Sequence, residues 1–372
     1  MILIGKSLEF TNNSSFKDFT NEIESVNKEG YDFLYVKGEA YSDADKENFF
    51  HNMIEIVTLC EKEVYAEFPL THFEDMKKLY YANVKKIIAT SKTTLTDEVI
   101  EDGKTRFGKE LVIKEADFKS IFVSDNNFST VSSDGSFVII DSKETTDVYS
   151  IKDELNKKGF ETKVLKCEIP WSDLKKNADG LVPVIVTDYK SDKILMLAYM
   201  NEKAYLNTFK TGLMTYYSRS RNEQWVKGET SGHYQYVKFI KADCDKDTLL
   251  AGVSQIGVPC HTGADTCFFN DVLKNTSLEK NPSKILNDLY KVIEDRKVNP
   301  KEGSYTNYLF DKGLDKILKK VGEEACEIVI ASKNEEPKEI KYEIADFLYH
   351  LSVLMVEKNV TWEEVADELA KR

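Results

Sequence analysis

Two stretches of the sequence concentrate side chains that bind metal ions. The first runs from Asp243 to Cys267 and sets Asp243, Cys244, Asp245 and Asp247 ahead of Cys260, His261 and Cys267. Three thiolates suit a borderline cation such as zinc, and three carboxylates suit a hard one such as magnesium. Catalytic zinc sites keep three protein ligands and leave a position for water, so the stretch reads as a hydrolytic zinc centre beside a magnesium site. On a strand, Asp243, Asp245 and Asp247 share one face and Cys244 points to the other. Three carboxylates that close repel unless a cation sits among them, whereas an isolated run of this kind is an exposed acidic turn. For both trios to serve one pocket, either the backbone bends sharply or Cys260 and Cys267 come from elsewhere, as across the two-fold axis of a dimer. His261 is either a fourth ligand or, because adjacent residues rarely hold one ion without strain, a base that handles the proton of an activated water.

The second stretch is a carboxylate set. Glu323, Glu324 and Glu327 fall within one helical turn, and Glu343 and Asp346 repeat the device at i, i+3. Two facing helices then point four or five acids at magnesium bridging a polyphosphate. Two solvated acidic faces are the plain alternative. Against it, Glu327 precedes Ile328-Val-Ile-Ala331 and Asp346 lies inside Ile344-Ala-Asp-Phe-Leu-Tyr349, and a buried acid needs a partner. Between these stretches and the N-terminus, Arg219, Arg221 and Lys227 supply charge suited to phosphate, and Gly228 and Gly232 bracket Glu229, Thr230 and Ser231 in a loop whose amides could face an anion.

The elements that position these groups fall into separate segments. At 372 residues the chain is too long for one ordinary core. Residues 1–115 alternate strand candidates (Ile2–Ile4, Phe33–Val36, Val64–Phe68, Lys86–Ala89, Leu111–Ile113) with helices such as Phe16–Lys28 and Ala44–Cys60, a βαβα rhythm that predicts a parallel sheet. Residues 116–170 form an α/β extension with no visible chemistry, including a turn at Asp134-Gly135. Residues 171–273 read as a compact, strand-rich α+β module, and Lys274–Pro282 as a polar linker. Residues 283–372 are helical throughout, with Thr361-Trp-Glu-Glu364 as a capping box, and predict a small all-α bundle. Cys60, Cys167 and Cys326 lack ligand spacing and read as buried thiols.

The totals limit the partners. A net charge of −13 argues against a nucleic-acid polymer, though not against a single nucleotide held by a local basic pocket. The N-terminus has no signal-peptide pattern and no run of 18 apolar residues appears, so neither export nor a membrane span is expected. Six cysteines in such a chain are expected to be thiols and ligands in the cytoplasm.

The Gly30–Val36, Phe73–Met76 and Ile87–Thr90 stretches resemble the N-terminal half of the histidine-biosynthesis (β/α)8 barrels, in degenerate form. The end of strand 1 reads Ile4-Gly5-Lys6-Ser7, without the family's aspartate, and the loop Glu67–Phe73 lacks the glycines of its phosphate site. Glu67 or His72 could still bind something there, but ordinary loop residues are the preferred reading, and the region is read as a scaffold or assembly module. Gly180-Leu-Val-Pro183, Tyr217–Arg221, Trp225–Gly232, Asp243–Asp247 and Val258–Gly263 resemble phosphoribosyl-AMP cyclohydrolase. That resemblance implies a dimer hydrolysing the N1–C6 bond of an adenine ring, with Cys244, Cys260 and Cys267 on zinc and Asp243, Asp245 and Asp247 on magnesium. In keeping with it, Arg219, Arg221, Trp225, Lys227, Glu229 and Ser231 are expected to bind substrate at a site on the subunit interface. Pro300–Thr306, Lys320–Glu324 and Asp346–His350 are similar to phosphoribosyl-ATP pyrophosphohydrolase. This implies magnesium-assisted release of pyrophosphate, with Glu324 and Glu327 catalytic. The expectation is thus an ATP-derivative-binding, bifunctional hydrolase of histidine biosynthesis. Two rivals stand beside it: a zinc deaminase fused to a general nucleotide pyrophosphohydrolase, and a zinc-stapled structural module with a helical oligomerisation bundle.

Overall fold

A computed structural model describes residues 1–11, 14–39, 42–123, 137–141, 147–273, 282–334 and 337–370. The chain divides into two units, Met1–Asp271 and Val272–Arg372.

The first unit begins with a parallel sheet of seven strands: β1 (Leu3–Phe10), β2 (Phe33–Gly38), β3 (Glu63–Phe68), β4 (Lys86–Ala89), β5 (Val112–Lys114), β6 (Ser120–Val123) and β7 (Phe137–Ile140). Their spatial order is β5-β4-β3-β2-β1-β7-β6. That is the sequential order of a barrel, with no ladder between β5 and β6 among the described residues. The half-barrel-like expectation is met by β1–β5, and β6 and β7 continue the same sheet beyond residue 115. The helices α1 (Thr20–Lys28), α2 (Asp43–Leu59), α3 (Phe73–Tyr81), α4 (Asp97–Phe107) and α5 (Val148–Lys157) cover the outer face.

Both faces of the sheet are buried, which is why its strands read as near-continuous apolar runs. The outward residues Ile4, Leu34, Val36, Val64, Ala66 and Ile87 pack against the helices. The inward ones form an aromatic plug: Phe33 stacks on Tyr65 with centroids 4.4 Å apart, and Phe118 lies 4.7 Å from Phe137. β1 runs six residues past the Ile4 at which the apolar run stops, because Lys6 is accommodated by a hydrogen bond from its ammonium to Ser25 Oγ at 3.2 Å. Asp32 and Lys152 pair at 2.6 Å, both buried, and tie α5 to the sheet, where Asp32 also accepts from the Ile4 amide at 2.8 Å. His72 is the N-cap of α3, sharing a capping box with Asp75. The Asp134-Gly135 turn lies outside the described residues.

The rest of this unit carries β8 (Val182–Asp188), β9 (Ile194–Met200), α6 (Glu202–Thr211), β10 (Thr215–Ser218), β11 (Glu223–Val226), β12 (Gln235–Ala242) and β13 (Leu249–Gln255). Four strands form a sheet in the order β12-β13-β8-β9, with β13 and β8 parallel and the other pairs antiparallel, and β10 and β11 form a separate hairpin. Asn201 caps α6 by accepting from the Ala204 amide at 2.9 Å, and Gly212, at φ 72°, ends it in the left-handed conformation. The barrel-like part docks on this module through Glu61, whose carboxylate accepts from Ser254 at 2.7 Å and pairs with Lys238 at 2.8 Å.

The second unit is all-α: α7 (Ile285–Val298), α8 (Tyr305–Lys312), α9 (Leu314–Ala331), α10 (Pro337–Glu357) and α11 (Trp362–Ala370). Its core joins Ile293, Leu309, Ile317, Val353 and Val356. The linker expected over 274–282 falls almost wholly outside the described residues. Burial of the spare thiols holds only in part: Cys60 is half-buried, whereas Cys167 and Cys326 are exposed, Cys326 because it sits on the outer face of α9. No helix among the described residues is long and apolar enough to cross a membrane.

Candidate active sites

Asp243, Asp245 and Asp247 lie in the tight connection between β12 and β13, not on a strand. The expected period-2 alternation fails for a local reason. The Asp243 side chain accepts from the Asp247 and Thr248 amides at 3.0 and 3.2 Å, and Lys246 takes a left-handed φ of 62°, so the chain reverses there. The turn still gathers the three exposed carboxylates, with one ligand oxygen of each within 4.8 Å of the others. Lys175 supplies a counter-charge, 3.1 Å from Asp245.

Cys260 and Cys267 sit on the long segment after β13. The Cys260 amide donates to the Ala264 carbonyl at 3.3 Å, closing a loop, and the Cys267 amide donates to Leu195 on β9 at 2.7 Å. The two thiols lie within hydrogen-bonding reach of one another. The Thr262 hydroxyl, 3.1 Å from Cys260 Sγ, holds that thiol below its ordinary pKa, while burial pushes Cys267 up. Cys244 is exposed on the β12–β13 turn and does not join them: the three cysteines form no common cluster among the described residues. His261 is exposed on the same loop as Cys260.

Lys227 is buried beside the two cysteines, its ammonium donating to the His233 carbonyl at 3.4 Å. Burial lowers its pKa, and the neighbouring thiols oppose that shift. A side chain expected to hold phosphate therefore faces the thiol pair. Gly228 is required where it stands, at φ 92°, because a Cβ would come within 2.4 Å of the Tyr234 amide nitrogen. Of the amides expected to face an anion, those of Glu229 and Gly232 are turned inward onto Val226 and Gly228 carbonyls at 3.1 and 2.8 Å. The Glu229 carboxylate accepts from the Val226 amide, and Ser231 Oγ from the His233 amide at 3.2 Å. Arg219 lies 3.9 Å over the Tyr199 ring, Arg221 pairs with Glu223 at 3.2 Å, and Trp225 packs on Tyr216.

In the helical unit, α9 and α10 bring together Glu324, Glu327 and Glu343, again with one oxygen of each within 4.8 Å of the others. Glu324 is buried, and its charge is compensated by Lys320 at 2.9 Å, with His350 Nδ1 at 3.6 Å. Hydrogen bonds to Glu324 and Glu323 push the Lys320 ammonium up. The Glu324 charge raises the pKa of Glu327, as crowding of like charges does. Glu323 turns aside to Lys320 at 3.1 Å, which lowers its pKa, and Asp346 is exposed and outside the trio. His350 Nδ1 lies 3.0 Å from the Asp346 carbonyl and Nε2 lies 3.3 Å from the Tyr305 hydroxyl. With Nδ1 donating to that carbonyl, Nε2 is the acceptor. Lys320 and His350 carry no role in the acidic pattern, and their i−4 and cross-helix positions relative to Glu324 are the signal that marks them.

Two family models match in chain order: phosphoribosyl-AMP cyclohydrolase over residues 196–269 and phosphoribosyl-ATP pyrophosphohydrolase over residues 286–372. The chain is 51% identical over 209 residues to the histidine biosynthesis bifunctional protein HisIE of Thermoanaerobacter pseudethanolicus, covering 53% of this chain and 97% of that one. It is 53% identical to the HisIE protein of Caldanaerobacter subterraneus, over 55% of this chain and 98% of the relative. Identity to the Bacillus subtilis HisIE protein is 48%, over 54% and 95%. The seven-stranded sheet lies outside both family matches. Each carboxylate trio falls inside one of them, and the chain belongs to the HisIE family of bifunctional histidine-biosynthesis enzymes, with phosphoribosyl-AMP cyclohydrolase and phosphoribosyl-ATP pyrophosphohydrolase activities.

Proposed function

We propose that the helical unit hydrolyses phosphoribosyl-ATP on magnesium held by Glu324, Glu327 and Glu343, with Glu323 and Asp346 at its margin, and that the product passes to a zinc site built by two chains. The observation that carries the reading is the pair of preformed carboxylate trios, one inside each matched region. The donor sets fit the ions: oxygen-only trios suit magnesium, and paired thiols suit zinc. Cys260 and Cys267 supply two zinc ligands from one chain, and Cys244 of a second copy supplies the third, which makes the enzyme a homodimer with this site on the interface.

Zinc bound there would supply a water activated for attack on an amidine carbon near neutral pH. Thr262 holds Cys260 toward the thiolate by its hydrogen bond. His261, exposed and next to Cys260, takes up the water's proton and returns one to the departing ring nitrogen. Arg219, Arg221, Trp225, Glu229 and Ser231 border the substrate, the two arginines meeting its phosphates. Lys227 offsets the negative charge that two thiolates would otherwise bring together. Asp243, Asp245 and Asp247 hold magnesium. In the helical unit Glu324 and Glu327 orient the attacking water, and Lys320 pairs with Glu324 at 2.9 Å. The enzyme works in the cytoplasm.

The two steps separate cleanly. Cys260→Ser abolishes ring opening of phosphoribosyl-AMP and leaves pyrophosphate release intact, and Glu324→Gln does the reverse, as read by product chromatography with zinc and magnesium controlled separately. Loss of both activities in either variant contradicts the assignment.

A further inference from the structure

The barrel-like part lies outside both family matches, yet it holds the cyclohydrolase module at a defined place. Asn27 on α1 is buried and uses both ends of its amide on the connection between α2 and β3. It donates to the Leu59 carbonyl at 3.0 Å and accepts from the Glu61 amide at 2.8 Å. The backbone that presents Glu61 is thereby fixed in advance, so less freedom is lost when its side chain makes contacts. The Glu61 carboxylate, only 15% exposed, then spans two strands: one oxygen accepts from Ser254 on β13 and the other pairs with Lys238 on β12. Lys238 stands where the β12–β13 register shifts, the kind of bulge that leaves one residue out of the ladder.

A second hold lies alongside. Lys28, at the end of α1 and paired with Glu24 at 2.7 Å, sets its ammonium 4.3 Å over the Tyr234 ring. The Tyr149 hydroxyl on α5 lies 3.0 Å from the Lys28 carbonyl and 3.1 Å from the Thr211 carbonyl at the end of α6. The residues held in this way set the course of the segment that carries the thiols. The Tyr234 carbonyl accepts from the Ile256 amide at 2.9 Å, two residues past Ser254. Between them, Gln255 accepts from the fully buried Gln235 at 2.8 Å. Gly257, at φ 61°, passes so close to the His233 ring that a Cβ would come within 2.6 Å of it. Cys260 follows three residues later, and Lys227 beside it is bonded to the His233 carbonyl.

From this path we propose that Glu61 is a positioning residue for ring opening, through which the barrel-like part braces the start of the Cys260–Cys267 segment. A misplacement of about 1 Å caused far from the chemistry can cost about 100-fold in rate, so a remote brace has kinetic consequences. A mere tether between modules would need neither a pre-set acid nor contacts to both strands of the hairpin. The effect on rate rests only on the ring-opening activity. Its effect on metal retention rests on the assignment of Cys260 and Cys267 to zinc, and the two are therefore read separately.

The test uses the full chain. Glu61→Lys and Lys238→Glu each set like charges against one another. Each is expected to lower kcat for ring opening of phosphoribosyl-AMP at least fivefold, as roughly expected for a small misplacement. KM should change less than twofold, because Arg219 and Arg221 sit on the separate β10–β11 hairpin. Pyrophosphate release should be unchanged. The combined Glu61→Lys/Lys238→Glu protein restores the attraction with its ends exchanged, and its kcat should return to within twofold of the parent, a rescue that general loss of folding would not allow. Lys28→Met removes the second hold without inserting a charge and should lower kcat in the same direction. Zinc retention, read by competition with a chromogenic chelator, should fall and recover in step with kcat. A fall in kcat with zinc retention unchanged would support the brace and count against the thiols as zinc ligands. Unchanged kcat in Glu61→Lys and Lys28→Met, or a combined variant no more active than its two singles, overturns the proposal.

Discussion

Glu324 is the residue on which the helical site turns. A carboxylate buried among helices is costly unless it is compensated, and Lys320 at 2.9 Å supplies the compensation. His350 closes the other side, fixed by the Asp346 carbonyl on one ring nitrogen and Tyr305 on the other. Groups that orient a metal-binding carboxylate are worth roughly 10–100-fold in affinity or activity. His350→Ala is therefore expected to weaken magnesium dependence of pyrophosphate release by roughly tenfold, with a parallel loss in manganese binding measured by electron paramagnetic resonance, while ring opening of added phosphoribosyl-AMP is unchanged. Unaltered metal binding would remove His350 from the site. The acids themselves were legible from their spacing, since i, i+3 and i, i+4 positions share a helix face. What spacing could not decide was which of five acids converge: Glu323 pairs with Lys320, and Asp346 is exposed and outside the trio. Lys227 was equally ambiguous, because a lysine near a glycine loop suits phosphate as well as thiolates.

At the scale of elements, the chemistry depends on turns and caps more than on the strands beside them. The Asp243–Asp247 turn holds its carboxylates together by using Asp243 twice, as a ligand candidate and as an acceptor for two backbone amides. Alternating aspartates look like a strand in the sequence. Asp and Asn side chains that bond their own backbone favour turns, and that competing signal was present in the same residues. The C-terminal helices were easier to find, and the Thr361-Trp-Glu-Glu364 capping box marks the start of α11, whereas α6 went unread. Asp147 shows the same economy in the barrel: it caps α5 by accepting from the Ser150 amide at 3.2 Å and hydroxyl at 2.6 Å, which lowers its pKa below the ordinary 3.8. A group with a depressed folded-state pKa contributes stability above its unfolded value and loses it as pH falls through the folded one. Asp147→Ala should cost about 1 kcal/mol near neutral pH, and thermal melts of variant and parent should converge as pH is lowered below about 4. A gap independent of pH would show that the charge is not what caps the helix.

Across the whole molecule, the parallel sheet was legible as alternating strands and helices, yet its extent was not. β6 and β7 lie far along the chain from β1, and only the fold reveals that β7 pairs with it. Nor does local sequence reveal the junction between barrel and cyclohydrolase module, because Glu61, Lys238 and Ser254 are single polar residues separated by nearly 200 positions. The cyclohydrolase site has the same long-range character. One chain brings Cys260 and Cys267 together and leaves Cys244 apart on its turn. If the third ligand comes from a second copy, variants broken in different halves of the site can repair one another. The direct measurement is ring opening by Cys244→Ser and Cys260→Ser proteins, each alone and after joint refolding with zinc. Each variant alone should be inactive, and the mixture should regain about a quarter of parental activity, since half the dimers would be mixed and each would carry one intact site. A mixture as inactive as its components would contradict the shared site, as would a Cys244→Ser protein that opens the ring unaided.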